Sequence, residues 1–124
     1  MKWILILSVL LCPVVAGAAT ATLTWTASVP DATHGAATGY NVYHGTGAAV
    51  CTASGVLAGP PIATLGNVVL FTDTSPGANG ATVCYEVTGT NAGGEGAHSN
   101  RATGVIPTNP PSAPTGLTIT GMTP

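Results

Sequence analysis

The chain is 124 residues long, with two basic and four acidic residues, so only 5% of it is charged, against about a quarter in an average soluble domain. That excludes nucleic acid as a partner, because phosphate binding needs several Lys or Arg on one face and only Lys2 and Arg101 exist; a polybasic membrane patch is excluded on the same count. At 45% hydrophobic the chain is too apolar to read as disordered, and its length suits one domain with a single modest core.

Residues 1–18 carry one positive charge, an apolar run from Trp3 to Val15, and then Ala16-Gly17-Ala18. This is the three-part pattern of a secretory signal peptide, with cleavage after Ala18 or Ala19. The apolar run is too short to cross roughly 30 Å of hydrocarbon as a helix, so no membrane span is expected. Cys12 raises a lipoprotein alternative, but Leu11 stands where a small residue belongs and Pro13 follows. Removing the leader leaves about 106 residues in an extracytoplasmic setting: periplasm, cell surface or extracellular space. Arg101 is then the one cation against Asp31, Asp73, Glu86 and Glu95. Two cysteines remain, Cys51 and Cys84, and an even count in an oxidising compartment favours a disulfide. Closing that loop would stabilise by about 3.7 kcal/mol on the chain-entropy model. Zinc ligation and a catalytic thiol are the alternatives; the two cysteines lack CxxC spacing and the three histidines are scattered, which argues against metal.

Along the mature chain no segment repeats apolar residues at helical spacing, and Gly or Pro interrupts every long window, so no helix is expected. Alternation with period two appears instead. Leu23 and Trp25 alternate with threonines, and GYNVYHG puts Tyr40 and Val42 on one face with Asn41 and Tyr43 on the other. PIATLG and NVVLFTD supply two short strands around Ile62, Leu65, Val69 and Phe71. ATVCYEVTGTN turns Val83, Tyr85, Val87 and Gly89 inward, Cys84 and Glu86 outward, and GAHSNRATGVI makes a last strand. Turn-rich clusters separate them at 29–39, 45–60, 75–80 and 91–96. Six short antiparallel strands at this spacing make an all-β sandwich.

Trp25 after a Leu, the GYNVY strand, FTDTSPG and YEVTGTNAGGEGAHSN together resemble a bacterial-type fibronectin type III domain, an immunoglobulin-like sandwich, over residues 19–107. The resemblance implies a core of Trp25, Tyr40, Val42, Phe71, Tyr85 and Val87, with Trp25 and Tyr40 in contact. It also implies an F–G turn shaped by Asn91, Gly94, Glu95, Gly96, Ser99 and Asn100. The chain departs from the family in two places. Val83 stands where a tyrosine hydroxyl usually pins the E–F corner, and the Leu usual before Pro76 is missing. A loop 45–60 that folds Cys51 against Cys84 would supply a covalent pin in its place.

Strand A of the family is also missing before Trp25. Residues 108–124 are a Pro-rich linker followed by PTGLTITG, whose Leu117 and Ile119 alternate with Thr118 and Thr120 like the missing strand. Three fates are open for this tail: the start of a further domain, a fold-back in cis, or insertion of residues 115–120 into the next copy. Fold-back leaves little slack, because a linker from Pro107 to Gly116 spans about 31 Å in polyproline form and the sandwich is about 25 to 30 Å long.

No pair of carboxylates has a reason to meet as catalytic pairs do. Asp31, Asp73, Glu86 and Glu95 are expected as solvated or turn-stabilising charges, and His34, His44 and His98 as surface histidines. No catalytic residue, cofactor or metal is expected. Of the aromatics only Tyr43 faces outward, a weak platform for carbohydrate. The expected function is therefore non-catalytic: a secreted structural or adhesive module whose partner is protein. A filament subunit that partners itself through the C-terminal strand is an alternative, and so is an accessory module from a larger secreted hydrolase.

Overall fold

The computed structural model describes residues 19–108 and 112–124; the leader expected at 1–18 lies outside the described residues. The elements are β1 (Ala21–Thr24), β2 (Gly39–Thr46), α1 (Ala48–Thr52), β3 (Ala63–Leu65), β4 (Leu70–Asp73), β5 (Thr82–Asn91), β6 (Gly94–Glu95) and β7 (Ala102–Val105). They form two antiparallel sheets. One has two strands, β1 against β4; the other has five, in the order β3-β2-β5, with β6 and β7 both on the far edge of β5.

The alternation in the sequence sets the faces. Val42, Val83, Tyr85 and Ile106 are buried between the sheets, and Leu23, Trp25, Leu65, Phe71 and Val87 pack on them while keeping part of their surface exposed. Trp25 meets Tyr40 edge to face at 5.4 Å, as expected, a geometry that suits the ring quadrupoles. The Tyr40 hydroxyl accepts the Ser28 amide at 3.1 Å. Turns fall in the expected clusters.

Three sequence expectations need correction. The described residues do contain a helix: α1, five residues in the loop after β2. Gly47, with φ +98°, turns the chain out of β2, and Ala48-Ala49-Val50 then coil so that Cys51 is carried beneath the loop. The final strand is shorter than the apolar pattern suggested. Residues 96–101 leave the ladder, their main-chain bonds to β5 coming from the Gly96 and Ser99 amides, and strand pairing resumes at Ala102. Finally, Cys84 and Glu86 do face away from the inter-sheet core but are not solvated, being 0% and 4% exposed. The 47–58 segment lies across that outer face, and Tyr43, Cys51, Leu57 and Cys84 make a second, smaller core under it.

Candidate functional site

The outer face of the five-stranded sheet holds most of the charge. Cys51 and Cys84 are joined by a disulfide, with Cα atoms 5.6 Å apart, because Gly45 opposite Cys84 lets the returning loop approach. Beside it the Arg101 guanidinium donates from Nε and Nη2 to one oxygen of Glu86, at 2.9 and 2.7 Å. Its remaining donors reach the carbonyls of Val50, Cys51, Ala53 and Gly55. The other Glu86 oxygen accepts the Leu57 amide at 2.9 Å and His98 Nδ1 at 2.7 Å. Burial pushes the Glu86 carboxyl up. The Leu57 amide, Arg101 and His98 outweigh it, and the net effect holds the group below the usual range. Glu86 and His98 are therefore parts of a clamp rather than surface groups.

Tyr43 also differs from expectation. At 7% exposure it is no platform for a sugar ring. Its ring lies 4.5 Å from that of His98, and its hydroxyl donates to Glu95, which also accepts from Thr88 and Asn41. The Thr88, Tyr43 and Asn41 donors hold the Glu95 carboxyl below its ordinary value, and the same carboxylate raises the Tyr43 hydroxyl.

Asp73, expected as a solvated or turn-stabilising charge, is 9% exposed at the end of β4. It accepts the Tyr85 hydroxyl at 2.8 Å and the Ser75 amide at 2.9 Å. Burial, and then the bond to Asp73, raise the Tyr85 hydroxyl well above its ordinary value. A hydroxyl thus does pin the corner between the two sheets, supplied by Tyr85. The disulfide ties the opposite face of β5 and does not replace that pin. His44, another expected surface histidine, is half-buried against the Tyr85 ring at 4.9 Å.

At one end, the loop after β1 and the β5–β6 hairpin sit side by side, bridged by Asn91 Nδ2 to the Ala36 carbonyl and by the Thr38 amide to the Thr90 carbonyl. Asn91 accepts the Gly93 amide and Gly94 takes φ +118°, closing the hairpin, while Asn100 stays exposed. The cleft between these loops measures about 780 Å³. Of the two acids in its lining, Asp31 and Glu95, Asp31 is bonded by the Thr33 amide, by His34 and by the Thr33 hydroxyl, which lower it to about 2. Asp31 and His34 thus satisfy each other within one exposed turn.

The remaining feature is a gap. Among the described residues β1 pairs only with β4, and β7 only with β5, so a free strand edge borders each side of the opening between the sheets. Between them runs a groove of about 250 Å³ with Leu23, Val83, Tyr85 and Ile106 in its lining and no charged side chain. Gly104 and Ala102 pair with Val83 and Tyr85, so they face the same side of the sheet and leave the groove unfilled. The sequence placed Leu117 and Ile119 on a candidate strand; both are exposed, at 95% and 78%, and residues 112–124 form no strand in their own chain. Among the described residues no group of His, Cys, Asp and Glu is arranged to hold a metal ion, and no helix is long and apolar enough to cross a membrane. Comparison with family models, with curated proteins and with solved structures returns no match.

Proposed function

We propose that the chain is a secreted, non-catalytic structural or adhesive module built on a fibronectin type III-like sandwich. The observation that carries this reading is the employment of the acidic side chains. Asp73 holds the two sheets together, Glu86 and Glu95 fasten the covering loop and the hairpin, and Asp31 closes its own turn. A catalytic carboxylate needs an approach for substrate and a matched partner; these carboxylates are engaged by the fold itself. The leader pattern and the Cys51–Cys84 disulfide support an oxidising, extracytoplasmic location. The Trp25–Tyr40 pair and the Gly-rich hairpin support the family resemblance.

Immunogold labelling of the producing cells with antibody to residues 19–107 tests the reading. Label on the outer surface or on extracellular material is expected. Label confined to the cytoplasm, on a chain that keeps residues 1–18, would overturn it.

A further inference from the structure

We propose that the groove between β1 and β7 receives residues 113–121 of a second copy of this chain, laid along the free edge of β1 with Leu117 and Ile119 pointing inward. The inference rests on the reading of the chain as a structural module and names its partner.

Acceptor and donor are matched in several independent ways. An extended segment adds to a sheet wherever an edge offers unpaired N–H and C=O groups, and side-chain pockets then set the register. β1 offers that edge, since among the described residues its backbone hydrogen bonds go to the β4 side only. Such an edge, left bare beside apolar surface, is a standing invitation to association. The space below it exists because the inward positions of β7 are Ala102 and Gly104, and a Cβ built at Gly104 meets nothing within 4 Å. The donor alternates apolar and threonine residues over Leu117–Thr120, the period of a strand with one face to bury. Neither partner brings charge, because the groove lining has none and no Asp, Glu, Lys or Arg follows Arg101. Nothing electrostatic therefore opposes contact.

The geometry favours a second copy over the same chain. β7 leads to Ile106, whose amide bonds Ala81 at the end of the sandwich where Ala19 and Ala21 also pack. A strand antiparallel to β1 starts at the other end, near Trp25. The same chain's linker, residues 107–112 ahead of the donated segment, would have to run back along the sandwich with about 19 Å of reach at full polyproline extension. The tail of a neighbour enters from that far end directly. Each copy then gives one strand and takes one, a heterologous contact that propagates into open chains.

The test is the oligomeric state of the disulfide-bonded 19–124 chain by sedimentation equilibrium. The expected result is concentration-dependent association. A donor-defective chain carrying Leu117→Asp and Ile119→Asp, and an acceptor-defective chain carrying Gly104→Leu, are each expected to associate at least about tenfold more weakly, the loss of one or two buried aliphatic contacts. Mixed, the two defective chains are expected to form a one-to-one dimer and stop there, since one retains the slot and the other the strand. Circular dichroism checks that both are folded. A wild-type chain that stays monomeric overturns the proposal, as does association that persists in both variants, or a mixture that forms no dimer. A monomer exported to the cell surface would leave the structural-module reading standing; a cytoplasmic chain would remove that reading whatever its oligomeric state.

Discussion

Arg101 reaches Glu86 with two hydrogen bonds, at 2.7 and 2.9 Å, and with its other donors it grips four carbonyls between Val50 and Gly55. The one cation of the described residues thus serves as the fastener of the loop that carries the disulfide. Glu86 is 4% exposed, so removing Arg101 leaves a buried carboxylate with His98 and the Leu57 amide alone. Arg101→Ala is expected to cost about 3 kcal/mol, in the range for breaking a buried pair from one side. Arg101→Lys should recover only part, because an ammonium cannot span the carboxylate and the carbonyls together. Urea denaturation measures both, and limited proteolysis within 47–58 should accelerate in parallel.

The disulfide closes a sequence separation of 33 residues. Reduction should lower stability by about 3.7 kcal/mol on the chain-entropy model. For a domain of this size that is a fall in Tm of roughly 15 °C or more. Differential scanning calorimetry with and without reductant reads it directly. An unchanged Tm would mean that Arg101 and Leu57 hold the loop without the covalent bond.

Tyr85 and Asp73 make the corresponding pin between the sheets. The Tyr85 hydroxyl is raised above its ordinary value by burial and by Asp73. The unfolded chain therefore loses that proton first, and the contribution, complete below about pH 10, is lost as the pH rises through the native value. Tyr85→Phe is expected to cost about 1 to 3 kcal/mol at neutral pH, the penalty for leaving a buried acceptor short of a donor, and to flatten the alkaline limb of the stability profile. Thermal melts of both chains from neutral to strongly alkaline pH check it.

Acid acts through Glu86 and Glu95, whose native values are both held below the ordinary 4.5. Here the unfolded state takes up protons first, so their contribution is present above that value and lost as the pH falls through the lowered ones. The urea midpoint should fall steadily as the pH drops below about 4.5. It should fall less steeply in Glu86→Gln, which starts from a lower stability.

The inner face of this fold was legible in the sequence because strand alternation is a local signal: Tyr40, Val42, Val83 and Tyr85 are buried where period two puts them. The outer face was not, because its cover comes from a distance. Arg101 and the Val50–Gly55 carbonyls are about 46 to 51 residues apart in the chain, and no pattern within one strand reports such a contact. One residue carried a usable hint. Cys84 points outward, and a disulfide to Cys51 requires the intervening loop to lie on that face, which buries Tyr43 and Glu86 with it. Tyr85 as the corner pin was missed for a related reason. The family pattern directed attention to position 83, whereas the acceptor here is the side chain of Asp73 and the matching hydroxyl lies two residues further along the same face.

A directed cross-link tests most directly whether the β1–β7 groove of one copy takes the C-terminal segment of another. One chain carries Gly104→Cys in the groove; a second, distinguishable by a tag, carries Leu117→Cys in the tail. Mild oxidation of the mixture is expected to join them as a one-to-one heterodimer, while Thr118→Cys, on the opposite face of the donated strand, joins far less. No heterodimer, or equal yields from Leu117→Cys and Thr118→Cys, would contradict the account.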